Sequence, residues 1–307
     1  MNKKMKIAVL GLGRMGGQIA RRLHKNDFEV LAWNRSLEPV AEIQKKGIWA
    51  TSDLSELMNA MPPRKRIFWL MLPHSLVDDF LFSDNYLKSF LKRGDIVIDG
   101  GNSFFKDTVR RSKILAKKGI YYFDSGTSGG IWGEQNGFAL MVGGPAPIFP
   151  VVRPIFKALS GGDNFAYLGK SGAGHFAKMV HNGIEYGMME AIGEGYAVLQ
   201  KSKYDFNLAD VTKVYQKGTV IRSWLIDLCA DIFKKENIEG TLGQIGATGE
   251  GEWTIKTAKE LRVPISVIEQ SFKVRKESRK SKNWSSYSNK IVALLRKQFG
   301  GHKINLK

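Results

Sequence analysis

The sequence has a single cysteine, no long apolar run and few acids for its number of bases. Each shortage excludes something. Cys229 alone can form neither an intrachain disulfide nor a cysteine metal cluster, and no metal site is expected. One cysteine fits a reducing, cytoplasmic setting. No stretch approaches the roughly 20 apolar residues of a membrane-spanning helix, and the run from Ile67 to Leu72 is strand-sized. The opening MNKKMKIAVLGLGRMG is basic and then apolar, but it soon breaks into glycines and Arg14. It reads as a first strand and not as a signal peptide. Against 47 Lys and Arg stand 29 Asp and Glu, a net charge of +18. That balance is compatible with nucleic acid, an anionic membrane, small anionic substrates or merely solvated lysine-rich helices, and it does not choose among them. No repeat or low-complexity segment is evident.

The 307 residues, 43% of them hydrophobic, allow one large or two ordinary domains with ample core. Lys6 to Leu10 is a short β-type run that leads into Gly11-Leu12-Gly13-Arg14-Met15-Gly16. A helical pattern follows, and then a second strand, Phe28 to Trp33. A G-x-G-x-x-G is informative in that strand–turn–helix–strand context. Its glycines allow a tight turn and close approach of a pyrophosphate to a helix N-terminus. The second strand ends in Asn34-Arg35-Ser36, where an Asp or Glu would hold the ribose hydroxyls of NAD. Without that carboxylate, Arg35 and Ser36 can donate to a 2′-phosphate, which favours NADP. If Arg35 only stacks on adenine, both cofactors bind.

Strand and helix go on alternating. A helical stretch begins at Ser52, and the strand Ile67 to Leu72 ends at Pro73. Asp95 to Asp99 is the fourth strand and runs into Gly100-Gly101-Asn102-Ser103. Ile120 to Asp124 is followed by a small-residue loop, Ser125 to Gly130, suited to an anionic or hydroxylated ligand. Further strands are expected over Phe138 to Val142 and Phe165 to Leu168, with a helix from Val151 to Leu159. Beyond Gly169 only helical periodicity remains. The expected class is therefore α/β: a Rossmann-type dinucleotide-binding domain over 1–169, then an all-helical domain over 170–307 for substrate binding and oligomerisation.

The helical half opens with KSGAGHFAKMVHNGIEYGMMEA. Lys178, His181, Asn182 and Glu185 fall at i, i+3, i+4 and i+7 and share one helix face, with Tyr186 beside Asn182. The opposite face, with Phe176, Met179, Val180, Ile184 and Met188, is expected to be buried. An exposed Lys–Glu stripe is common on helices. Here, however, a cation, an imidazole, an amide and a carboxylate lie together among many glycines. A glycine inside a helix costs about 0.8–1.0 kcal/mol relative to alanine, so several of them point to close backbone approach. Later come the glycine-rich helix entrance Thr248 to Thr254 and a basic run from Lys273 to Lys282.

GLGRMG, DGGNS, TSGG, KMVHNGIEYG, GEGEWT and R-x-x-F-G-G-H occur here in the order found in decarboxylating 6-phosphogluconate dehydrogenases, a branch of the β-hydroxyacid dehydrogenases. The chain resembles that family, in its short type, from Ile7 to His302. The resemblance implies oxidation of 6-phosphogluconate at C3, loss of carbon dioxide and protonation to ribulose 5-phosphate. It implies that Lys178 is the general base and Glu185 the acid, with His181 and Asn182 positioning substrate hydroxyls. A base lysine must be neutral, which requires burial and neighbours to lower it from its usual ~10.4. Gly11, Gly13, Met15, Gly16, Asn34, Arg35, Ser36, Leu72 and Asn102 are the implied cofactor contacts, with Asn102 between nicotinamide and substrate. Ser128, Gly129 and Gly130 match the carboxylate loop, and Tyr186, Thr254 and Arg275 match the phosphate end. Arg296 and His302 match a pair supplied by a neighbouring subunit, which implies a homodimer or a dimer-based oligomer. Glu252 departs from the pattern, since a lysine or arginine is usual there. The rival expectation is a β-hydroxyacid dehydrogenase for a small unphosphorylated acid. A remoter one is a basic nucleic-acid-binding protein, although the basic run lacks interleaved aromatics for base stacking. No membrane and no specific nucleic acid is expected as a partner.

Overall fold

The structure, a computed structural model, describes residues 4–246 and 249–306. Thr248, at the glycine-rich helix entrance, lies outside the described residues. The chain divides into two compact units, Met1–Met179 and Val180–Lys307.

The first unit alternates strand and helix. In order these are β1 (Lys6–Leu10), α1 (Arg14–Lys25), β2 (Glu29–Trp33), α2 (Leu37–Gln44), β3 (Trp49–Thr51), α3 (Leu54–Ala60), β4 (Ile67–Leu70) and α4 (His74–Phe82). There follow β5 (Ile96–Asp99), α5 (Phe105–Ala116), β6 (Tyr121–Ser128), α6 (Gly133–Asn136), β7 (Ala139–Gly143), α7 (Phe149–Ser160) and β8 (Phe165–Gly169). The eight strands form one sheet in the order β3-β2-β1-β4-β5-β6-β7-β8. All neighbours are parallel except β6 and β7. A parallel sheet has to be covered on both faces, and alternation along each strand accomplishes this. Ile7, Val9, Ile67 and Trp69 point to a core closed by α1 and α7. Ala8, Leu10, Phe68 and Leu70 point to a second core closed by α3 and α4.

Two expectations need correction. The expected fourth strand, Asp95–Asp99, is the fifth and starts at Ile96, because Trp49–Thr51 forms a short additional edge strand beside β2. The segment from Ser125 to Ser128 is not a loop. β6 runs on through it, since antiparallel β7 pairs Ser125 with Val142 and Ser128 with Ala139. The ladder overrides the small-residue composition, and only Gly129 and Gly130 remain in the turn.

The 29-residue helix α8 (Ala173–Lys201) crosses from the first unit into the second. The second unit adds α9 (Leu208–Tyr215), α10 (Trp224–Lys235), α11 (Glu250–Glu260), α12 (Ser266–Glu277) and α13 (Tyr287–Gly300). Among its described residues the only extended pairing is an isolated bridge, Thr241 to Leu306. Its core gathers Tyr186, Met189, Tyr196, Leu225, Ile226, Cys229, Ile291 and Leu294. Burial pushes the Cys229 thiol up to about 12, so it packs as an inert apolar group.

Candidate active site

Strand order reverses where β1 sits between β2 and β4, and open α/β sheets place ligands outside the carboxyl ends of strands at such a point. The glycine turn leaves β1 there. Gly11 has φ +99° and donates its N–H to Trp33 O at 2.8 Å. A Cβ on Gly16 would lie 1.9 Å from Gly11 O, so the helix can start only with a glycine at that position. Gly13 is different. A Cβ there would meet nothing within 4 Å, and Gly13 caps α1 without a side-chain hydrogen bond. Open space over an uncapped helix N-terminus suits a pyrophosphate. Asn34 at the end of β2 accepts from Leu12 N at 3.0 Å and so fixes the turn. Arg35 and Ser36 are exposed, and the Ser36 hydroxyl is not used to cap α2.

Loops from β4, β5 and β6 meet at the same edge. A Cβ on Gly101 would come 2.8 Å from Leu72 O, and Thr127 Oγ1 donates to Gly100 O at 3.2 Å. Asn102 is exposed at that edge. Gly129 (φ +119°) and Gly130 (φ +54°) follow Ser128 in left-handed backbone, which favours glycine.

Asp124 pins the start of α8 to the sheet by accepting from Gly172 N (2.7 Å) and His175 N (2.9 Å). Burial raises the Asp124 carboxyl, and His175 and the two backbone donors oppose that rise. Lys178, one turn on, is buried at 7% exposure. It sits over Gly126, where a Cβ would approach Lys178 Cβ to 2.4 Å. Sequence reasoning missed both supports. The only signal for Asp124 was an acid at the end of an otherwise apolar strand, and nothing local marked Gly126.

Along the same helix, His181 Nδ1 lies 3.0 Å from Asn182 Oδ1 and 3.7 Å from Glu185 Oε2. In the second unit Gly183 lets α11 approach, since its Cβ would meet Thr254 Cγ2 at 2.8 Å. Thr254 is buried and donates to Glu250 O. Tyr186 is buried, with the Arg275 guanidinium 3.4 Å from its ring centroid. Arg296, which the resemblance assigned to a neighbouring subunit's site, is instead buried in the Arg275 cluster of its own chain, because α13 packs it there. It is pushed down to about 10, by burial first and then by Arg275, while Tyr186, Glu185 and Glu250 oppose the shift. His302 packs against its own tail, its ring 6.3 Å from Phe299. Glu252 is exposed in the first turn of α11.

The apolar stripe of α8 does not behave as expected. Met179 is buried, but Ile184 is 54% and Met188 41% exposed. The second unit instead covers the face carrying Asn182, Tyr186 and Met189, because α11 and α12 bring Thr254 and Arg275 to that side.

A glycine turn at a sheet switch point, followed by a helix carrying lysine, imidazole, amide and carboxylate on one stripe, defines an oxidoreductase that uses a nicotinamide dinucleotide. Family models agree in both halves: residues 6–169 match the NAD binding domain of 6-phosphogluconate dehydrogenase, and 174–304 match its C-terminal domain. The chain belongs to the 6-phosphogluconate dehydrogenase family. It is 39% identical over 306 residues to the NAD(+)-dependent, decarboxylating 6-phosphogluconate dehydrogenase of Haloferax volcanii, covering 99% of both chains. It is 35% identical over 285 residues to the NADP(+)-dependent enzyme of Bacillus subtilis, covering 87% of this chain but 60% of that longer one. The Plasmodium falciparum 6-phosphogluconate dehydrogenase structure is similar with a TM-score of 0.80 at 29% identity, over 89% of this chain and 62% of that one. Salmonella typhimurium 3-hydroxyisobutyrate dehydrogenase, at 16% identity and TM-score 0.74 over 94% and 99%, shares the fold. No helix among the described residues is long and apolar enough to cross a membrane.

Proposed function

We infer that this chain oxidises and decarboxylates 6-phosphogluconate to ribulose 5-phosphate and carbon dioxide. The observation that carries this reading is the Lys178–His181–Asn182–Glu185 stripe on one unbroken helix, with Arg275 and Arg296 buried together further along the second unit. A small unphosphorylated acid would need the lysine but not two buried guanidinium groups.

A bound nicotinamide dinucleotide would supply hydride acceptance from substrate C3. Gly11, Gly13, Met15 and Gly16 would hold its pyrophosphate, Leu72 and Asn102 its nicotinamide end, and Asn34, Arg35 and Ser36 its adenosine end. The exposed Arg35 and uncommitted Ser36 hydroxyl favour NADP, with NAD also accepted. Lys178 takes the proton of the C3 hydroxyl. As an ammonium it then stabilises the ketone oxygen while the C1 carboxylate leaves as carbon dioxide, and it returns its proton to that oxygen to give the enediol. Glu185 delivers a proton to the former C2, which becomes C1 of ribulose 5-phosphate, as Lys178 takes the enediol proton back. His181 and Asn182 orient the hydroxyls, and Ser128, Gly129 and Gly130 hold the departing carboxylate. Tyr186, Thr254, Arg275 and Arg296 receive the phosphate end. The chain works as a homodimer or a dimer-based oligomer, with the tail at His302 reaching the neighbouring site.

The test is an initial-rate assay on 6-phosphogluconate with NADP and NAD in parallel, counting carbon dioxide per reduced cofactor. Lys178→Met is expected to lower kcat at least ~10²–10⁴-fold, the usual contribution of a general base, while cofactor affinity persists. Turnover of a small hydroxyacid without any on 6-phosphogluconate would decide for the rival.

A further inference from the structure

The second unit buries a carboxylate that this chemistry does not use. Glu190 stands on α8 one turn beyond Tyr186 at 4% exposure, and neither of its oxygens has a hydrogen-bond partner. Its ion-pair partner is Arg275, with Nη2 3.9 Å from Oε1. Arg275 is 1% exposed, and its Nε and Nη2 also lack hydrogen-bond partners. Two donors and two acceptors are thus buried within ion-pair range but beyond hydrogen-bond length. An unmet buried polar group is destabilising, more so when charged, so this arrangement is poised to take up something that satisfies the guanidinium.

The surrounding charges define what that is. Arg275 comes from α12 and Arg296 from α13. Glu194 shares α8 with Glu190, and Glu185 and Glu250 act on the same cluster from α8 and α11. A dianion suits two adjacent guanidinium groups. It does not suit a second anion 3.9 Å from one of them. Burial raises Glu190 to about 7, with Glu194 pushing in the same direction and Arg275 pulling back, so the carboxylate exchanges its proton near neutrality.

We propose that Glu190 is the resident counter-ion of Arg275 and takes up a proton when the substrate's phosphate arrives. It is a positioning residue: deprotonated it holds the guanidinium's charge for itself, and protonated it yields Arg275 to the ligand. The proposal rests on the assignment of 6-phosphogluconate as substrate and of Arg275 to its phosphate. The pH dependence follows in sign. The phosphate is largely dianionic above its second pKa of about 6. Once pH passes about 7, each further unit requires a proton from a tenfold more dilute supply, so KM rises about tenfold per unit.

The experiment combines calorimetry and kinetics on the full chain with 6-phosphogluconate. Binding at pH 8 is measured in two buffers of different protonation enthalpy, and KM and kcat are followed from pH 6 to 9. The wild type is expected to take up close to one proton more than Glu190→Gln. At pH 8, Glu190→Gln is expected to have a KM about tenfold below wild type and flat with pH, the effect falling on KM and not on the kcat profile. Glu190→Asp is expected to restore the uptake and the slope. Equal proton uptake in wild type and Glu190→Gln, or a Glu190→Gln KM that climbs with the wild-type slope, overturns the proposal. If Glu190→Gln does not fold, a wild-type KM that stays level from pH 7 to 9 overturns it on its own, and a rising KM kept by Glu190→Asp supports it. Arg275→Ala separates the two assignments. A KM unchanged by Arg275→Ala overturns the phosphate reading, whereas a raised KM with an unaltered Glu190→Gln slope overturns only the role of Glu190.

Discussion

Gly126 bears on the reaction although it has no side chain to contribute. The mechanism proposed for Lys178 relies on its helix lying close against β6, and that approach leaves no room for a methyl group. In Gly126→Ala the new Cβ would stand 2.4 Å from Lys178 Cβ and 2.9 Å from Gly174 O. Neither can yield cheaply, because Gly174 is itself wedged against Met141 O and Asp124 O. Overpacking of this kind costs typically 1–3 kcal/mol. A displacement of about 1 Å near reacting groups can cost ~10²-fold in rate. The expected outcome is a loss of about 1–3 kcal/mol in urea unfolding, with kcat falling more than cofactor affinity. A variant with wild-type kcat would mean that Lys178 is not held through this contact.

The residues just before β4 show how one buried pair ties two elements together. Arg66 ends the basic run Arg64-Lys65-Arg66, yet it is only 4% exposed. Its Nη2 meets Asp95 Oδ2 at 2.6 Å, and its Nε meets Oδ1 at 3.2 Å. Asp95 also accepts from Arg66 N and Lys92 N, which stitches the entry of β4 to the turn before β5. Removing one member of a buried pair strands the other charge, at about 3–5 kcal/mol. Arg66→Leu should therefore lose about that much in denaturant unfolding, and adding Asp95→Asn should recover part of it. Equal losses in the single and double variants would show that the charge pair adds nothing beyond packing. The contrast with the glycine turn explains what was legible in the sequence. G-x-G-x-x-G between two strands declares itself locally, as do the helix periodicity around Lys178 and the strand–helix alternation. Trp49–Thr51 is too short to show a period, and Ser125 to Ser128 become strand only because β7 supplies partners. Which stripe of α8 is buried depends on α11 and α12, far along the chain. The same long-range packing hid Glu190: it lies off the Lys178–Glu185 stripe, and nothing near it announces Arg275.

At the scale of the whole molecule, an apolar seam and a net charge of +18 oppose each other. Ile184, Met188 and Val198 stand 54%, 41% and 71% exposed on α8, with Ala191 and Gly195 exposed between them. The spacing of four, three, four and three is that of a helix–helix seam and not of a solvated face. Burying each such side chain contributes about 1.5–3 kcal/mol, enough for a few residues from each of two copies to drive pairing. Two copies carrying the same positive charge repel, and salt screens that repulsion over a Debye length of about 10 Å at 0.1 M. Association through the seam should therefore tighten as salt rises, the reverse of a complex held by opposite charges. Sedimentation at increasing sodium chloride is expected to show a species of twice the chain mass, with a dissociation constant that falls with salt. Ile184→Glu combined with Val198→Glu should shift it to the single-chain mass and take activity with it if the neighbour's tail completes each site. Pairing that weakens with salt, or that survives both substitutions, would place the contact elsewhere. Full activity in the single-chain species would mean that each chain completes its phosphate site without the neighbour's tail at His302.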